Sequence, residues 1–245
     1  MINYFKLLRY NNLIFIAITF YLTRYFVIRS ISENFISVAD FDFFLLTLSS
    51  VLIAAGGYSI NDYFDLRIDR INKPDKIILG RLIPRRNAIL LHIILNSLAI
   101  LLNVYLAYKL KTFYILIINI LLIGLLWMYS LYYKRYFIIG NVVVAFSIAV
   151  QFILIILFEI YNIKQSSLQV NASFINIVLY YALFAFIINL IREIIKDIED
   201  IEGDRKCGCK TIPIVMGILK TKIILSILIF ILIILLVLVL YRLSY

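Results

Sequence analysis

Two short stretches carry the residues best suited to chemistry: "NDYFDLRIDR" at 61–70 and "KDIEDIEGDR" at 196–205, which both fit D-x-x-D-x-x-x-D-R. Asp62, Asp65 and Asp69 stand at i, i+3 and i+7, as do Asp197, Asp200 and Asp204, so each trio shares one face of a helix. Like charges stacked in this way repel and cost helix stability unless cations neutralise them. The hard divalent ions Mg²⁺ and Ca²⁺ prefer oxygen ligands, and Mg²⁺ takes one or two carboxylates together with substrate phosphates. Two facing trios could therefore hold a diphosphate through metal ions. One acidic cluster among basic residues reads equally well as exposed ion pairs. Two clusters with one spacing, each closing an apolar run on the same side, favour the metal reading.

The elements that position these acids are membrane helices. Of the 245 residues, 64% are hydrophobic and 16% charged, against about 45–50% apolar residues in soluble domains. Apolar stretches long enough for the ~30 Å hydrocarbon core predict spans at 13–28, 43–60, 88–108, 113–133, 137–158, 174–191 and 223–241. The expectation is an all-α membrane protein, a seven-helix bundle forming one domain over 1–245. Arg24 interrupts the first span and is expected to snorkel toward the interface. No A-x-A-like cleavage site follows that span, where the chain reads "RSISENF", so the N-terminus is expected to be retained.

The charges set the orientation. With the N-terminus inside, 18 of the 24 Lys and Arg residues fall on the cytoplasmic side, as the positive-inside rule requires. Ten of the 14 acids fall there too, within 61–86 and 192–222. The formal charge of +10 thus describes a surface facing anionic headgroups or an anionic substrate, not nucleic acid. Cys207 and Cys209 are too close for an unstrained disulfide and lack further soft ligands nearby. His92 stands alone and is expected to face a neighbouring helix or headgroups.

These residues resemble the UbiA superfamily of intramembrane prenyltransferases. The family's N-D-x-x-D-x-x-x-D after its second helix is met by Asn61, Asp62, Asp65 and Asp69, and its D-x-x-x-D after the sixth by Asp200 and Asp204. "NKP" at 72–74, "GRL" at 80–82, "YSLYYKR" at 129–135 and "GN" at 140–141 are further similarities, in order along nearly the whole chain. The resemblance implies that both motifs hold Mg²⁺, which binds the diphosphate of a polyisoprenyl donor. The allylic C–O bond then ionises and an acceptor captures the carbocation. It further implies a metal–diphosphate site of Asn61, Asp62, Asp65, Asp69, Asp200 and Asp204, with Asp197 and Asn72 as additions. Lys134 looks like the family lysine that reaches the diphosphate, and Arg70, Lys73 and Arg81 are nearby candidates.

Arg9, Asn12, Arg192 and Lys196 look more like the geranylgeranylglycerol-phosphate geranylgeranyltransferases, whose acceptor is a phosphoglycerol lipid. An aromatic acceptor of quinone biosynthesis, 4-hydroxybenzoate or dihydroxynaphthoate, is the alternative, since its carboxylate also needs a cation. The abundance of Ile, Asn and Lys suggests an AT-rich, prokaryotic genome, so with the charge distribution the expectation is an integral protein of a prokaryotic plasma membrane with its active site facing the cytoplasm. Family members generally have nine membrane helices, so this sequence is expected to lack the last two. Leu66 stands where many aromatic-prenylating members carry arginine, with Arg67 or Arg70 as substitutes. CDP-alcohol phosphotransferases require D-G-x-x-A-R, absent from both motifs. An ion transporter would place its carboxylates near the membrane midplane, not at helix ends.

Overall fold

A computed structural model describes residues 2–28, 40–165 and 172–244; Arg29 and the "RSISENF" stretch lie outside them. The described residues form helices α1 (Ile2–Leu7), α2 (Tyr10–Leu22), α3 (Asp40–Asn72), α4 (Arg85–Leu110), α5 (Tyr114–Leu131), α6 (Ile139–Gln165), α7 (Ala172–Glu199), α8 (Ile201–Lys206), α9 (Ile212–Met216) and α10 (Ile218–Ser244). Apolar side chains cover these helices because lipid offers no partner for a backbone N–H or C=O, and a helix satisfies both internally. Among the described residues, α3, α4, α5, α6, α7 and α10 are long and apolar enough to cross a membrane.

The first expected span differs. α2 has only 13 residues and continues as a π-helical segment, Thr23–Ile28. Arg24, expected at the interface, is fully buried within that segment. Its Nε lies 2.9 Å from Glu159 Oε1 of α6, and its Nη1 lies 3.0 Å from Asp40 Oδ1. Burial against acids on facing helices replaces snorkelling, the usual arrangement for a charge inside a membrane bundle.

The other spans lie where expected, with one informative extension. α3 has 33 residues, roughly 50 Å of helix against ~30 Å of hydrocarbon. It therefore carries 61–72 beyond the apolar layer as rigid helix instead of loop. α3 packs on α4 and α5, α6 packs on α7, and α2 lies against α3. A central cluster around Phe20, Phe43, Leu46, Leu154, Ile155 and Phe158 forms the main core. α10 joins through Leu225 beside Ile194 and Ile212, and most of its length faces outward. His92 is buried, its Nδ1 2.9 Å from the Gly56 carbonyl and its ring 5.0 Å from Trp127. It faces a neighbouring helix, as expected.

Candidate functional site

The overhang of α3 stays helical because Asp62 and Asp65 are paired with cations on one face and its apolar residues are packed on the other. Arg9 Nη2 donates to Asp62 Oδ1 at 2.8 Å, while Asn61 Nδ2 donates to Asp65 Oδ2 at 2.7 Å. Lys134 also donates to Asp65. Leu66, behind them, packs with Leu7, Leu79 and Ile83.

Lys134 arrives from the tight turn between α5 and α6, Tyr133–Arg135. Gly140 makes that turn possible: a Cβ there would stand 2.9 Å from Lys134 Cα and 3.1 Å from the Tyr133 carbonyl oxygen. The Lys210 N–H pins the turn from outside by donating to the Arg135 carbonyl at 2.8 Å. Burial opposes the Lys134 charge, but Asp65, Tyr129 and Asp204 outweigh it and hold its pKa above the ordinary lysine value.

The second motif departs from the expected single helical face. α7 ends at Glu199, the chain turns at Asp200 (φ −94°, ψ 8°), and α8 begins at Ile201. Asp197, on α7, accepts from Asn141 Nδ2 at 2.8 Å. Asp200 Oδ1 accepts from Lys73 Nζ at 2.7 Å. Asp204, on α8, feels Lys134, Asp200 and Asp65, and burial pushes its pKa up to about 6. The break has a partner on the first motif's segment. Asn72 Nδ2 donates to the Asp200 carbonyl at 3.0 Å, and the Gly203 N–H donates to Asn72 Oδ1 at 2.8 Å. A Cβ on Gly203 would fall 2.6 Å from Asn72 Nδ2, so only glycine admits this approach. Asn72 thus ties the two motifs together.

The donor set fits Mg²⁺. Asn61 Oδ1 is buried without a hydrogen-bond partner, and the Asp69 and Asp204 side chains make no hydrogen bond or ion pair among the described residues. All are hard oxygen donors. Among the described residues no three carboxylate, imidazole or thiol groups close on one point. Arg70 and Arg81 are exposed and form no ion pair with the aspartates, so the structure does not bring these two candidates into the cluster.

A cavity of about 580 Å³ opens beside the acids, between α2, α3, α5, α6 and α7. Arg9, Asn12, Asn61, Arg192, Glu193 and Lys196 line its polar end, and Phe20, Phe152 and Ile155 line the other. The Arg9 guanidinium lies over the Tyr58 ring at 4.9 Å, and Asn12 Nδ2 donates to the Tyr58 hydroxyl at 3.4 Å. Sequence reasoning missed Ser50, Tyr129, Gln151 and Glu193, which line the same space. Their signal was a polar group inside an otherwise apolar span, which in a membrane faces the bundle interior.

Comparison with known proteins identifies the family. The digeranylgeranylglyceryl phosphate synthase of Pyrococcus abyssi is 34% identical over 75% of this chain and 60% of its own length. The enzyme of that name from Sulfurisphaera tokodaii is 33% identical over 92% of this chain and 75% of its own. The chain thus spans less than two thirds of the Pyrococcus abyssi protein's length. A solved structure, described as giving insights into digeranylgeranylglyceryl phosphate synthase in membranes, superposes with a TM-score of 0.63 at 27% identity, covering 95% of this chain and 75% of the other. A family profile, that of the UbiA prenyltransferases, matches residues 16–245. This chain therefore belongs to the UbiA prenyltransferase family.

Proposed function

We propose that this protein transfers a polyisoprenyl group, of geranylgeranyl type, from an allylic diphosphate to the hydroxyl of a phosphate-bearing glycerol lipid. The observation that carries this reading is that the acid cluster meets, through Asn61 and Arg9, a largely apolar cavity whose polar end holds Arg9, Arg192 and Lys196. An isoprenoid tail needs the apolar length, its diphosphate needs the acids and cations, and a second anionic head needs the remaining cations.

Asn61, Asp62, Asp65, Asp69, Asp200 and Asp204 would hold Mg²⁺, which would supply Lewis-acid stabilisation of the diphosphate leaving group. Lys134 and Lys73, already seated on Asp65 and Asp200, turn toward the diphosphate oxygens. As the allylic C–O bond breaks, its electron pair leaves with the diphosphate, and preorganised cations stabilise that growing charge more than the ground state. The acceptor hydroxyl oxygen then bonds to the allylic carbon and releases its proton to the departed diphosphate. Arg9, Asn12 and Lys196 orient the acceptor head. Asp197, held by Asn141, and Asn72, spent on backbone groups, support the site from behind. The polar end faces the cytoplasm of a prokaryotic plasma membrane, on the strength of the Lys and Arg residues gathered there.

The test is transfer by the purified protein in lipid, with labelled geranylgeranyl diphosphate and a panel of geranylgeranylglycerol phosphate, 4-hydroxybenzoate and dihydroxynaphthoate. Product from the glycerol lipid, lost with excess chelator, is expected. Product from an aromatic acid alone overturns the acceptor, and undiminished transfer in chelator overturns the metal role.

A further inference from the structure

The far end of the cavity is built unlike the rest of it. Ser50 Oγ and Gln151 Oε1 line the cavity, are buried, and have no hydrogen-bond partner among the described residues. Ser50 lies eleven residues before Asn61 on α3, ~16 Å deeper at the helical rise. Gln151 lies ten residues beyond Asn141 on α6, ~15 Å deeper by the same rise. Phe20, eleven residues beyond Arg9, lines the same cavity.

Behind Phe20 the bundle is solid. Its ring meets Phe43 at 6.2 Å, Phe43 meets Phe158 at 5.7 Å, and the Arg24 guanidinium covers Phe43 at 4.4 Å. Arg24 is in turn fixed to Glu159 at 2.9 Å. An aromatic wall braced by a buried ion pair does not yield as a flexible side chain would.

We propose that this floor limits the length of the prenyl chain the protein accepts, through Phe20 as a steric stop and Ser50 with Gln151 as a polar one. The inference rests on the prenyl-transfer reading and deepens it. A chain that ends above the floor leaves Ser50 and Gln151 to water, whereas a longer one must strip that water and supply no hydrogen bond in return, which is unfavourable for buried polar atoms. A chain that reaches further must also displace Phe20. Removing either element should therefore favour longer chains selectively.

The experiment measures binding of non-hydrolysable thiodiphosphate analogues with four and five isoprene units to the full chain in lipid nanodiscs with Mg²⁺. The readout is the ratio of their dissociation constants, for wild type, Phe20→Ala and the double variant Ser50→Ala with Gln151→Leu. Wild type should prefer the four-unit analogue by roughly tenfold or more, and each variant should erase most of that preference. The two variants act by different routes, so a folding failure in one leaves the other decisive. A wild type that binds both analogues equally, or a preference unchanged in the variants, overturns the length limit while the prenyl-diphosphate site stands. Binding of neither analogue to wild type overturns both.

Discussion

Asn72→Ala is the sharpest perturbation of the proposed site, because Asn72 touches no carboxylate yet spans the two motifs. It removes two hydrogen bonds, to the Asp200 carbonyl at 3.0 Å and from the Gly203 N–H at 2.8 Å. At ~0.5–1.5 kcal/mol net for each, the link between the motifs weakens by about 1–3 kcal/mol. If that link holds Asp200 and Asp204 opposite Asp65 and Asp69, the loss appears as a fall of about 5- to 150-fold in kcat/KM for the donor. The Mg²⁺ concentration for half-maximal rate should rise in parallel, which a merely structural weakening would not produce. The same contact offers a second handle. Gly203→Ala drives a Cβ to within 2.6 Å of Asn72 Nδ2, so alone it should impair the enzyme comparably. In the Asn72→Ala background the obstructing amide is gone, and the added methyl should cost far less. The assay is a double-mutant cycle on initial rates across a Mg²⁺ titration, where contacting residues show coupling. Additive effects, or an Asn72→Ala enzyme within twofold of wild type at an unchanged Mg²⁺ requirement, would refute the reasoning.

Two further outcomes follow from the buried charges. Glu159→Ala removes one of the two acids paired with fully buried Arg24, leaving Asp40, and should lower stability by about 1.5–3 kcal/mol; unfolding in detergent at wild-type temperature would contradict this. Asp204 has its pKa raised from 3.8 to about 6, so in metal-free protein its contribution to stability is full below about pH 4 and is lost as pH rises through 6. Mg²⁺ should therefore raise the thermal midpoint more at pH 7.5 than at pH 4.5, and a pH-independent gain would remove Asp204 from the metal site.

The helices and the first motif were legible in the sequence because apolar runs and carboxylate spacing are local signals. The α3 overhang was half legible. The i, i+3, i+7 spacing implied a helix through Asp69, but the cations that make it tolerable, Arg9 and Lys134, come from positions 53 and 69 residues away. The break at Asp200 was not legible, since "KDIEDIEGDR" by itself continues a helical pattern, and Asn72, which shares the Asp200 carbonyl with the Asp204 N–H, lies 128 residues earlier. Arg24 was misjudged for the same reason. A helix-end arginine snorkels unless an acid on another helix faces it, and nothing near Arg24 in sequence announces Glu159.

The paired cations also explain how so many carboxylates can stand together before any diphosphate arrives. Asp62, Asp65 and Asp200 each hold one cation, drawn from three different segments: the start of α2, the turn after α5 and the end of α3. These pairs are only partly buried on the cationic side, with side-chain exposures of 35% for Arg9 and 37% for Lys73. Exposed pairs of that kind contribute little and separate readily. Lys134, at 15% exposure, is the exception, and its pair with Asp65 should be the last to open. On the proposed reading, a diphosphate entering the cluster would thus draw Lys73 from Asp200 first and Lys134 from Asp65 last, while the equally exposed Arg9 would be free to turn to the acceptor head.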